Sequence, residues 1–223
     1  MSNYELHYVD CIEFMKSMPD KSVDLLITDI PYNEVNRDSN GLRTLDKGIA
    51  DNAEMDLSVF LSQAIRICDG SFYIFCGRLQ YSFLDKFLRD YDISTRCIVW
   101  EKTNPSPMNG DKIWLSGIEL CSYGKKHGAV FNSKCRNTVI KYKTGQNETE
   151  HPTEKPVRIM NDFILTSSNE GDVIFDPFMG SGTTGVACMQ LGRNFIGCEI
   201  DPKYFAMARK RIEQAAMQEL LLA

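Results

Sequence analysis

The chain reads as an α/β protein built on a mostly parallel sheet, and three observations predict it. Short apolar runs alternate with stretches of helical periodicity along the 223 residues, the pattern of strands joined by crossover helices. One apolar run ends abruptly at Asp29-Ile30-Pro31-Tyr32. Another ends in an acid and turns through glycines towards a helix, from Asp176 to Thr184.

Taken in order, the first predicted strand is Val23 to Thr28, a six-residue apolar run of the length a buried strand needs. The polar, glycine-containing stretch Asn33 to Met55 follows. It is too long for an ordinary connection and reads as a functional or a disordered loop. Leu57, Phe60, Leu61, Ala64, Ile65 and Cys68 then recur on one helical face, which Gly70 would terminate. Strands are predicted at Ser71 to Cys76, Cys97 to Glu101 and Ile118 to Tyr123.

Lys125 to Asn147 carries Lys125, Lys126, Lys134, Arg136, Lys141 and Lys143 with no acidic residue. Composition alone leaves open a polyanion contact and a solvated hairpin. His151-Pro152-Thr153-Glu154-Lys155-Pro156 then leads into an amphipathic helix from Val157 to Leu165, its entry fixed by prolines. The last two strands are Asp172 to Asp176 and Asn194 to Glu199. After them Asp201 and Pro202 form an N-cap and first turn ahead of the stripe Tyr204, Ala208, Ile212 and Ala215.

The net charge of -5, from 25 basic and 30 acidic residues, excludes a uniformly basic nucleic-acid coat, so any polyanion meets a local patch. The eight cysteines form no C-x-x-C pair, which speaks against structural zinc. No leader pattern and no run of 18 apolar residues is present. The expectation is a cytoplasmic protein with reduced thiols and no membrane contact.

Two strand tips carry the chemistry. α/β sheets bind ligands at the carboxyl ends of their strands. There Asp29 offers a carboxylate, Ile30 a backbone carbonyl and Tyr32 a flat ring. This set suits an exocyclic amine, whose nitrogen lone pair two acceptors would localise towards an electrophile; the alternative is a plain strand-to-loop turn. At the second tip, glycines admit close backbone approach, and the helix N-terminus favours an anion. The turn is not a Walker loop, since no Gly-Lys-Ser/Thr follows. Glu199, closing the next strand, sits where a ribose hydroxyl acceptor belongs, or else it caps the following helix. With three histidines in the chain and no nucleophile at a recognisable spacing, a hydrolase triad has little support.

In this order the segments resemble the circularly permuted β-class of S-adenosylmethionine-dependent DNA amino-methyltransferases. Val9-Asp10-Cys11 and Lys21 to Asp24 lead to Asp29-Ile30-Pro31-Tyr32, which is similar to the family's D-P-P-Y. Ile98 to Pro105 and Glu119 follow. His151 to Pro156 resembles H-P-T-x-K-P, and Asp176 to Thr184 resembles D-P-F-x-G-S-G-T-T.

The resemblance implies a Rossmann-like methyltransferase sheet, mixed but mostly parallel, with a small inserted target-recognition segment. Residues 1–124 would be the catalytic half, 125–150 the basic recognition segment and 151–223 the cofactor-binding half of the same domain. It implies a catalytic role for Asp29, Ile30, Pro31 and Tyr32. Phe178, Gly180, Ser181 and Gly182 would line the methionine part of S-adenosylmethionine, with Asp176, Thr183 and Lys155 near it. Glu199 would take the ribose, and Asp10 with Cys11 would border the adenine. The partner would be double-stranded DNA with its target base flipped out, and the short recognition segment implies a homodimer.

Asp29 resembles adenine-N6 enzymes, whereas cytosine-N4 enzymes more often carry serine there. Cytosine-N4 transfer and an inactive cofactor-binding DNA module remain the alternatives. A 5-methylcytosine enzyme would need a cysteine nucleophile, usually after proline, and the chain has no Pro-Cys pair. Ile30 in place of the first proline keeps the carbonyl but loosens the backbone.

Overall fold

The structure is a computed structural model that describes residues 2–32, 55–107, 110–144 and 154–222. Its elements run β1 (Tyr4–Tyr8), α1 (Cys11–Ser17), β2 (Val23–Asp29), α2 (Leu57–Ile67), β3 (Cys68–Cys76), α3 (Arg78–Asp90), β4 (Ser94–Lys102), β5 (Ile118–Lys125), β6 (Val139–Tyr142), α4 (Val157–Ser167), β7 (Val173–Asp176), α5 (Thr183–Gln190), β8 (Asn194–Glu199) and α6 (Pro202–Leu222). Most of Asn33 to Met55 and His151 to Thr153 fall outside the described residues.

The strands form one sheet in the order β1-β8-β7-β2-β3-β5-β4-β6. β5 is antiparallel to β3 and β4, while the remaining pairings are parallel. One edge of the sheet therefore collects the carboxyl ends of β2, β3, β4, β6, β7 and β8, together with the start of β5. The chain passes from β2 to β3 on one side and from β7 to β8 on the other. The strand order thus reverses between β2 and β7, the point at which open α/β sheets form a ligand crevice.

Side-chain alternation builds a core on each face. Leu25 and Ile27 of β2 pack with Ile159, Phe163, Val186, Ala208 and Ile212 of α4, α5 and α6. Leu26 packs with Met15, Phe60, Leu84 and Leu88 of α1, α2 and α3. Asp10, Asp56 and Asp201 cap α1, α2 and α6 with carboxylates that accept first-turn amides at 2.8–3.2 Å.

Two expectations need correction. β1 and β6, absent from the sequence reading, are the two outer strands of the sheet, short and half exposed, so their apolar alternation is faint. Gly70 does not end α2. It lies inside β3, where an added Cβ would meet the Asp24 carbonyl oxygen at 1.8 Å, so a close backbone approach explains it. Within the basic segment, β6 pairs in parallel with β4 and so joins the main sheet.

Candidate functional site

Asp29 ends β2, and its neighbour Ile30 continues the pairing by donating its N–H to the Phe75 carbonyl at 3.2 Å. A proline could not make that bond. The isoleucine side chain is also buried. Pairing and packing thus restore the backbone constraint that the missing proline would have supplied. Pro31 is held as well, since Gln80 Nε2 donates to its carbonyl at 2.9 Å while Gln80 Oε1 accepts from Gly77 N–H. No local signal marks Gln80.

On the face that carries α4, opposite charges alternate along the sheet edge. Lys155 is 7% exposed; its ammonium pairs with Asp29 Oδ2 and lies 3.2 Å from Glu119 Oε2. Glu119 Oε1 in turn lies 2.7 Å from Lys102 Nζ. Burial opposes the charge on Lys155, but the two carboxylates outweigh it and raise its pKa above the ordinary lysine range. Burial likewise acts to raise Glu119, yet Lys155 and Lys102 hold its carboxyl below the ordinary glutamate value. The Lys155 ammonium also faces the Tyr32 ring at 5.8 Å and the Phe75 ring at 5.2 Å.

Asp29 Oδ1 and the Tyr32 hydroxyl are buried, and among the described residues neither has a hydrogen bond of normal geometry. Burial pushes the Tyr32 phenol well above its ordinary pKa, and the Asp29 and Glu119 charges add to the shift. The result is a carboxylate with one oxygen paired to an ammonium and the other, among the described residues, without a hydrogen bond of normal geometry, beside a neutral aromatic ring.

Across the β2–β7 boundary, Asp176 is buried and accepts from Thr28 Oγ1 at 2.8 Å, Thr184 Oγ1 at 2.6 Å and Phe178 N–H at 3.1 Å. Burial pushes its carboxyl up to about 7 even so. Asp176 therefore fastens the glycine turn to the sheet. In that turn Gly180 and Gly182 have φ of 52° and 84°. A Cβ on Gly182 would lie 2.9 Å from the Ala208 Cα, so α6 packs directly on the bare glycine.

Glu199 Oε2 accepts the Gly180 N–H at 3.0 Å, and Oε1 accepts those of Ile200 and Asp201 at 2.9 and 2.8 Å. Burial raises its pKa against those three donors. Ser181 and Thr183 are gripped from outside. Arg211 Nη1 donates to the Ser181 carbonyl at 2.8 Å, Thr183 Oγ1 donates to Glu154 Oε1 at 3.1 Å, and Arg211 pairs with Glu154. Asp10 caps α1 and Cys11 is buried at its start. Val9 N–H meets the Glu199 carbonyl at 3.3 Å, which brings this end of β1 to the same edge.

The basic residues are not one patch. β5 runs antiparallel, so Lys125 pairs in register with Ser71 and Ser94 at the far end of the sheet from Asp29. Lys126 Nζ there donates to the Ile65 carbonyl at 2.7 Å. Arg136 pairs with Asp162 at 2.7 Å, and Lys134 lies in the irregular segment between β5 and β6. Of the six, Lys141 and the exposed Lys143 reach the sheet edge that carries Asp29, Lys141 lying 3.1 Å from Glu101. Lys155 is likewise placed with the acid of β2, not with the glycine turn.

Comparison with known proteins agrees with this geometry. A family of DNA methylases of the N6/N4 type matches residues 111–210. The Type II methyltransferase M.HinfI of Haemophilus influenzae is 30% identical over 92% of this chain and 67% of its own length. Among solved structures, the M1.HpyAVI–SAM complex superimposes with a TM-score of 0.73 at 30% identity, covering 94% of this chain and 98% of the other. PvuII DNA methyltransferase, described as cytosine-N4-specific, superimposes with a TM-score of 0.71 over 99% of this chain and 94% of its own. At 16% identity that is a likeness of fold alone.

Proposed function

The chain belongs to the N6/N4 DNA methylase family, and on that premise we propose that it transfers a methyl group from S-adenosylmethionine to the N6 amino group of adenine in DNA. The observation that carries this reading is the buried Asp29 Oδ1 at the β2 tip, which among the described residues has no hydrogen bond of normal geometry, directly beside the turn after β7.

The residues around that turn fit the cofactor by their chemistry. Gly180 and Gly182 give the turn its positive φ, Gly182 letting α6 pack against it, α5 directs its N-terminus to the same place, and Phe178 offers a ring. Glu199 keeps a carboxylate at the end of β8, suited to the ribose hydroxyls. When bound, S-adenosylmethionine supplies an electrophilic methyl group on a sulfonium. Asp29 Oδ1 and the Ile30 carbonyl accept the two N–H bonds of the amine and localise its lone pair. Tyr32 stacks on the base. Asp29 is also the acceptor to which an amine proton can pass.

Inside a duplex the amine is out of reach, so the target base is flipped, at a cost of a few kcal/mol of unstacking. Lys141 and Lys143 contact the phosphates beside it. The carboxylate favours adenine over cytosine, because the cytosine-N4 pattern carries a hydroxyl there. The test is to incubate the protein with labelled S-adenosylmethionine and unmethylated DNA, and to analyse the nucleosides by mass spectrometry. N6-methyladenine is expected. N4-methylcytosine would overturn the base assignment, and an absence of label in the DNA would overturn the activity.

A further inference from the structure

Glu154 and Lys155 are consecutive, yet they serve the two halves of the site. Lys155 precedes Pro156, which holds it extended, and the two neighbouring side chains diverge. Lys155 reaches the acid of β2 and Glu119 of β5. Glu154, its side chain 6% exposed, reaches Thr183 in the turn after β7 and Arg211 of α6, which in turn holds the Ser181 carbonyl.

A buried ammonium costs several kcal/mol unless it is well paired. This one is set against the oxygen of Asp29 that the proposed amine contact does not use. We propose that this dipeptide divides the labour of positioning. Lys155 is the positioning residue for the Asp29 carboxylate, fixing Oδ2 so that Oδ1 faces the amine, and Glu154 is the positioning residue for the cofactor turn. The proposal rests on the reading of Asp29 given above. It takes Lys155 away from the methionine part of the cofactor, near which the family resemblance places it.

Without the ammonium, Asp29 loses its orienting partner and faces Glu119 unscreened. Misplacement of a reacting group by about 1 Å can cost on the order of 10²-fold in rate. The experiment measures kcat, KM for DNA and the cofactor Kd for Lys155→Ala and Glu154→Gln in the full chain, with Asp29→Ala alongside.

Lys155→Ala is expected to lower kcat on the order of 10²-fold and to leave the cofactor Kd within about threefold. Added methylammonium should restore part of kcat in proportion to its concentration. Glu154→Gln is expected to weaken cofactor binding about tenfold, with kcat at saturating cofactor near that of the parent and no response to the amine. If Lys155→Ala does not fold, Lys155→Arg against Lys155→Gln replaces it, the charged variant retaining the greater kcat. A cofactor Kd weakened tenfold by Lys155→Ala, with kcat intact at saturation, would overturn the proposal, as would a kcat loss that neither amine nor arginine relieves. Normal turnover by Asp29→Ala would instead overturn the reading of the acid itself.

Discussion

Thr28 donates its hydroxyl to Asp176 at 2.8 Å across the boundary between β2 and β7. The residue just before the proposed catalytic acid is thereby tied to the residue that opens the proposed cofactor turn, at the point where the strand order reverses. Both carboxylates sit at the sheet edge, but they do different work. Among the described residues one Asp29 oxygen has no hydrogen bond of normal geometry, while Asp176 is enclosed by donors and holds the scaffold.

Asp176 makes stability depend on pH in a definite direction. Its folded pKa of about 7 lies above the ordinary 3.8, so between these values the folded state binds the extra proton and stability falls as pH rises. Asp176→Asn removes that dependence. In urea unfolding from pH 4 to 8, the stability of the variant relative to the parent is expected to climb up to about pH 7 and then level off. The span is at most about 4 kcal/mol. A difference independent of pH would show that Asp176 stays ionised throughout.

Gly182→Ala tests the turn. The substitution forces a side chain into φ of 84° and sets a Cβ 2.9 Å from the α6 backbone. A loss of about 2–4 kcal/mol is expected from strain and overpacking together, with weaker cofactor binding as α6 shifts. An unchanged melting temperature would contradict the close packing.

The role proposed for Tyr32 belongs to its ring. Its hydroxyl is buried without a hydrogen bond of normal geometry among the described residues, so Tyr32→Phe should retain most activity. Tyr32→Ala should weaken productive DNA binding by about 1–3 kcal/mol, the worth of one stacked base. Steady-state KM for DNA distinguishes them, and equal losses in both variants would assign the role to the hydroxyl.

The division of the basic run is testable by salt dependence. Replacing Lys141 and Lys143 by alanine should reduce the slope of log K against log salt by about 0.9 for each phosphate that is no longer neutralised. The same change at Lys125 and Lys126, at the opposite end of the sheet, should leave the slope as it was. Equal effects would place DNA across both ends.

Local chemistry was legible in the sequence wherever it lies within a few residues. The tip at Asp29 to Tyr32, the turn from Asp176 to Thr184 and the cap at Asp201 each declare themselves through periodicity, glycine and charge, and their order along the chain points to the family. Tertiary structure alone decided what meets across distance. Lys155 and Asp29 are 126 residues apart, and they meet because β7 pairs with β2 and α4 packs on the face towards which Asp29 points. It was the antiparallel direction of β5, which its composition does not record, that sent Lys125 and Lys126 away from the edge where Lys143 lies. Hydrophobic period specifies that a strand has two faces. Its direction and neighbours come from pairing and packing with segments far away in the chain, and these set which charges share a site.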